Sequence, residues 1–196
     1  MKSRISSLFP GIMMLFTVFL WAGSTVAAPP SLKGDYAFTG EAGCLISPDG
    51  FNTDLTPMGP SFIRSSSVQG VRTFNRDGTG TVTGTLVSTS YARSSTFVPS
   101  ASSETFSFSF LYNVAPDGTF TSDLVPGTYL GTFVAGPLSG DTVTVDKIHL
   151  KGMISKDGTS LTLATDAPMV ETDTISNGDV EKQICHRSRV LIWLGK

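Results

Sequence analysis

The stretch Thr105-Phe106-Ser107-Phe108-Ser109-Phe110-Leu111-Tyr112-Asn113-Val114 decides the fold. Phe106, Phe108, Phe110, Tyr112 and Val114 alternate with Thr105, Ser107, Ser109 and Asn113, the period of two by which a strand turns one face to a core and the other to water. Elsewhere Gly, Ser and Thr are frequent, and no segment of a dozen residues repeats apolar positions at helical spacing. The chain therefore reads as strands, with seven more expected at residues 36–40, 62–74, 80–90, 120–134, 143–153, 161–165 and 184–194. Val143 and Val145 share one face while Ile148 and Leu150 share the other, which predicts a bulge near Asp146 and Lys147.

Asp-Gly recurs at Asp77-Gly78, Asp117-Gly118 and Asp157-Gly158, each followed by Thr and each able to close a tight hairpin. The 40-residue spacing reflects shared turn chemistry rather than repeated units, because the flanking sequences differ. The other connections, at 43–60, 94–102, 135–140 and 167–180, are mostly longer and rich in Ser, Pro, Gly and Asp. Successive connections of an up-and-down sheet fall at opposite ends, so the tight turns form a closed base and the longer connections an open mouth. Cys44 and Cys185 belong at the mouth end of the first and last strands, which are neighbours only if the sheet closes. The expectation is an all-β fold: a single up-and-down antiparallel barrel of about eight strands, closed by a disulfide between first and last.

Residues 1 to about 28 have the layout of a cleavable secretory signal: Lys2 and Arg4, an apolar run over 12–22, then Gly23, Ser24, Val26, Ala27 and Ala28. The run is shorter than the roughly 20 residues a membrane helix needs, and no cysteine offers a lipid attachment point. Residues 29–196 then form one domain, periplasmic or extracellular, with no membrane span after cleavage. Removing Lys2 and Arg4 from the 14 basic residues leaves 12 against 16 acidic, a net charge of −4. With no basic run, the counterion-release term of nucleic-acid binding has no source. An outer-membrane barrel is disfavoured because the second and third strands are largely Ser, Thr and Gly and the chain ends Leu194-Gly195-Lys196.

The layout resembles the calycin group, the lipocalins and their relatives. Gly34-Asp35-Tyr36 opens the first strand where lipocalins carry Gly-x-Trp, the connection at 43–60 sits where they have a large first loop, and their last-strand arginine corresponds to Arg187, Arg189 or neither. The resemblance implies an eight-stranded barrel holding a small ligand inside. Allene oxide cyclase-like and dirigent-like barrels share this outline, so it spans binders and enzymes.

No residue set for catalysis, for a metal or for a cofactor stands out. His149 and His186 lack metal-site spacing; His186 shares parity with Ile184, Ser188 and Val190 and is expected to be a hydrogen-bonded barrel residue rather than a base, whereas His149 is expected on a solvated face with Lys147 and Lys151. The serines, Ser94, Ser95 and those at 100–103 included, occur without a nucleophile-elbow motif. Asp49, Asn52 and Asp54 read as turn formers rather than calcium ligands, and Glu171 and Asp173 as solvated loop acids. Phe106, Phe108, Phe110 and Tyr112 are the candidate pocket lining, with Tyr129 adding a polar tip. Arg64 and Arg72 share parity with Phe62, Val68 and Phe74, so one of them, Arg72 being the candidate, could hold a carboxylate from inside. The cost of an unpaired buried charge favours instead a twist that turns both to water. The function expected is binding of a small apolar or amphipathic molecule at the open end. A cyclase- or isomerase-like barrel enzyme and a filled barrel acting through its loops are the alternatives.

Overall fold

In the computed structural model, which describes residues 32–92 and 98–195, all the regular structure belongs to one antiparallel sheet of 11 strands. The expected leader, Ser94 and Ser95 lie outside the described residues. Five long strands cross the full height: β1 (Gly34–Ser47), β2 (Phe62–Phe74), β3 (Thr79–Ala92), β4 (Ser100–Val114) and β11 (Val180–Trp193). The gap between β4 and β11 is bridged by two stacked panels of short strands. Nearer the base lie β5 (Thr119–Leu124), β8 (His149–Ile154) and β9 (Ser160–Ala164); nearer the mouth lie β6 (Leu130–Ala135), β7 (Thr142–Val145) and β10 (Val170–Ile175). Both β5 and β6 pair with β4, and both β9 and β10 pair with β11, so each level closes a ring of eight strands.

The fold is thus an eight-stranded up-and-down barrel in which three strands are broken at mid-height. The expected strand at 120–134 breaks at Pro126-Gly127: Thr128 N donates to Val125 O at 3.2 Å, and Gly127 takes a φ of 76°, which only glycine adopts at no cost. The expected strand at 143–153 breaks where its parity changes, and Asp146 is held there by Thr172, whose N–H donates to Asp146 Oδ1 at 2.8 Å. The third break, around Pro168, turns part of the connection expected at 167–180 into β10. β1 is longer than expected, because residues 41–47 continue the ladder instead of entering the loop.

The seam is β1 against β11, in register from Tyr36↔Trp193 to Ser47↔Lys182. Cys44 and Cys185 are direct cross-strand partners in this ladder and are disulfide-bonded, with Cα atoms 4.1 Å apart. The bridge packs with Ala42, Ile46 and Phe62 in a small apolar cluster.

The base is filled. Phe74 is surrounded edge-on by Tyr36, Phe110, Tyr112 and Phe120, with ring centroids 5.1–5.9 Å away. Tyr36 Oη donates to Gly158 O at 2.6 Å, and Tyr112 Oη donates to Leu32 O at 3.1 Å, which ties the hairpin turns and the entering chain across the bottom. At two of these turns the Asp side chain accepts from both N–H and Oγ1 of the Thr two residues on, as Asp77 does from Thr79, and Gly78, Gly118 and Gly158 take positive φ. Pro116-Asp117 fill the centre of a turn closed by Gly118 N donating to Ala115 O, so Gly118 is the left-handed residue after the turn, not part of a two-residue loop.

Candidate functional site

Above that packed base the interior opens into a cavity of about 130 Å³. Side-chain alternation decides what faces it. On β4 the residues that share parity with Phe110 point inward, so Phe106 and Phe108 line the cavity, joined by Tyr129 from the break between β5 and β6. The three rings lie nearly parallel, with centroids 5.6–6.1 Å apart. Phe38, Val68, Val82, Leu150 and Leu191 complete an apolar wall. Phe110 and Tyr112, grouped with these residues by sequence, lie below the cavity in the base packing.

The remaining wall is ionic. On β11 the parity of Cys185 puts Gln183, Arg187 and Arg189 inside, and on β10 Glu171 and Asp173 face them. The expectation that Glu171 and Asp173 are solvated is overturned: they are 2% and 6% exposed. Arg187 grips Glu171 through both guanidinium nitrogens, at 2.5 and 2.6 Å. Gln183 Nε2 donates to Asp173 Oδ1 at 2.9 Å, and Arg64 reaches Glu181 at 2.8 Å and Asp173 at 4.0 Å. Tyr129 Oη donates to Glu104 at 2.9 Å. Glu104 fits because Gly131, the cross-strand partner of Phe106 on β6, leaves it room; a Cβ there would sit 1.9 Å from its carboxylate.

Burial sets the protonation of this wall. Desolvation pushes the Asp173 carboxyl up to about 7, with Arg64 opposing and the charges of Glu181 and Glu171 reinforcing the shift. Desolvation also raises Glu104, against the hydrogen bond from Tyr129 and the charge of Arg64. The Tyr129 phenol is held well above its ordinary value by burial and by Glu104. Burial alone would lower Arg187; its hydrogen bonds and charge contacts with Glu171 outweigh that.

Both arginines expected to face water on β2 point inward instead. Arg72 is 5% exposed, lies over the Phe110 ring at 4.3 Å and donates to Ser122 Oγ at 3.1 Å. An aromatic face and a hydroxyl make the burial tolerable without any bulge in β2. His186 lies on a barrel strand and is exposed. Counting from Cys185 puts it on the outer face, where its ring covers the space left by Gly43. His149 is half-exposed and contacts Asp123 at 2.6 Å on the outside. Asp54 sits in an exposed turn, accepting from Thr56.

Of the residues singled out in the sequence, Phe106, Phe108, Tyr129 and Arg72 line one cavity; Glu171 and Asp173 are set aside there as solvated, Arg187 enters only through the resemblance, and Glu104 and Gln183 are missed. The missing signal was parity. Glu104 is two residues from Phe106 on the same face, and Gln183 and Arg187 flank the cysteine that closes the seam. No protein-family model matches the chain, and a search of curated proteins finds no match to it.

Proposed function

We propose that this protein is an exported barrel that binds one small amphipathic molecule in its interior and releases it unchanged. The observation that carries the reading is the cavity itself, in which three parallel aromatic rings face a hydrogen-bonded ionic wall. Sites for small molecules combine an apolar lining with a few fixed polar groups in this way. At about 130 Å³ it suits a ligand of the size class of one aromatic ring. Export is supported by the disulfide, which persists in oxidising compartments, and by the signal-like N-terminus. A soluble rather than membrane-embedded barrel is supported by the outer faces of β2–β4, where Ser67, Thr83, Thr85, Thr105 and Ser107 stand in place of an apolar band. The calycin-like outline, a barrel open at one end, fits the same reading.

The test is calorimetric titration of the oxidised protein with a panel of single-ring and short branched amphiphiles, repeated on Leu86→Trp, which fills the cavity. Saturable one-to-one binding by the parent that is lost in Leu86→Trp supports the proposal. Absence of binding across the panel contradicts it. A second reading, a barrel enzyme of the cyclase or isomerase type, is favoured by one observation: Tyr129, Glu104 and Asp173 offer buried proton-exchanging groups at the cavity wall. Chemical conversion of a bound panel member, followed by mass spectrometry, would select it.

A further inference from the structure

The charges inside the barrel do not cancel locally. Of the four inward arginines, Arg64 is matched by Glu181 and Asp173, and Arg187 by Glu171. Arg72 and Arg189 have no carboxylate within ion-pair distance among the described residues. Arg189 is served by backbone, donating to Ser188 O at 2.8 Å and to Glu41 O. Arg72 is not served so. Its guanidinium carries five N–H donors, and its one hydrogen-bond acceptor among the described residues is the neutral Ser122 hydroxyl. Among the described residues the one fully buried side-chain polar atom without a hydrogen-bond partner is Ser47 Oγ, so the spare donors of this fork open onto the cavity, where a ligand can complete them.

The surroundings say what would complete it. The guanidinium carbon lies 4.3 Å from the Phe110 ring centroid and Nη1 is held by Ser122, which leaves Nε and Nη2 as the pair able to take two oxygens side by side. Arg72, Val82 and Phe108 are successive cross-strand neighbours on β2, β3 and β4, and Phe106 is one inward position nearer the mouth. A ligand with an anionic end on Arg72 therefore has its apolar part against Phe108 and Phe106. Towards the mouth the wall is acidic, with Glu104, Glu171, Asp173 and Glu181 against Arg64 and Arg187. A second negative charge on the ligand would find both cations of this wall already paired with carboxylates. Burial together with the like charge of Arg189 lowers the Arg72 guanidinium to about 9, so it remains charged at neutral pH and an incoming anion relieves both penalties.

We infer that Arg72 is the anion-binding group of the cavity and that the ligand is a small monocarboxylate with a single-ring or short branched apolar part. This rests on the ligand-binding reading above and narrows it to one chemical class.

The experiment titrates the oxidised protein with benzoate, 4-methylbenzoate and 3-methylbutanoate, each beside its amide of the same shape. At least one acid should bind about tenfold or more tightly than its amide, the margin a charge-assisted bidentate contact gives. Arg72→Met should erase that margin while leaving the amide's affinity within about twofold, and Arg72→Lys should restore part of it. The acid-to-amide ratio in the parent protein needs no variant, so a misfolded Arg72→Met does not blunt the test. Equal affinities for acid and amide overturn the role of Arg72 and leave ligand binding standing. Binding of the neutral single-ring panel without any acid overturns the carboxylate assignment alone, and binding of nothing overturns both.

Discussion

Asp173 is the residue whose environment most directly alters how the barrel responds to pH. Its carboxyl titrates near 7 in the folded protein and in the ordinary carboxylate range when unfolded. Between those values the folded state holds a proton the unfolded state has lost, so the contribution of Asp173 to stability is fully present at acid pH and is lost as pH rises through about 7. Thermal unfolding of Asp173→Asn, compared with the parent from pH 5 to 8, should show a flatter decline, with a difference on the order of 3 kcal/mol across the window. Parallel curves would refute the assignment. Tyr129→Phe removes the partner of buried Glu104 and should cost about 1–3 kcal/mol in urea denaturation. At this scale the sequence was legible where alternation was unbroken. Phe106 and Phe108 announce their face, but the charged residues beside them were read by chemical type rather than by parity. The rule that charges avoid interiors is set by the cost of a single unpaired group; Glu171, Asp173, Gln183 and Arg187 are buried together, each hydrogen-bonded to another, and Arg72 alone is buried without a carboxylate partner among the described residues.

At the scale of the element, the three mid-height breaks shape the barrel. A continuous strand in the β5 register would set Tyr129 opposite the outward-facing Thr105; the turn at Pro126-Gly127 shifts the register by three residues, so that Glu104 pairs with Phe133 and Tyr129 keeps the inward face. Gly127→Val should destabilise by about 1–2 kcal/mol, since a β-branched side chain disfavours its φ of 76° although nothing crowds the position. Unchanged stability in chemical denaturation would mean that the turn does not need its left-handed residue. Pro126-Gly127 was a visible turn signal in the sequence, outweighed by the apolar residues on both sides of it. The break at Asp146 was legible as a change of parity, whereas β10 was not, because its Thr and acidic residues imitate a loop. The seam strands were legible through their cysteines. The double variant Cys44→Ala, Cys185→Ala should lose about 2–4 kcal/mol, near the lower part of what a 141-residue separation allows, because the β1–β11 ladder holds the same ends together. A loss below about 0.5 kcal/mol would show that the ladder alone closes the ring.

For the whole molecule, the distribution of packing along the axis separates stability from function. The base concentrates edge-to-face aromatics and chain-tying hydrogen bonds, while the upper half exchanges apolar filling for a cavity and an ionic wall. Eight strands leave an interior that side chains can just fill or that one small molecule can share, and here the filling stops partway up. The overall architecture followed from the chain's connections, tight turns alternating with longer loops and two cysteines at the ends. The content of the interior did not, since volume depends on how every inward side chain packs. The central claim is that this space holds a small molecule, and native mass spectrometry of the protein purified from its own host without reductant tests it most directly. The account predicts a disulfide-bonded chain carrying one non-covalent adduct of single-ring size, recoverable as a monocarboxylate by organic extraction. A bare oxidised chain that also fails to take up any small amphiphile would contradict it.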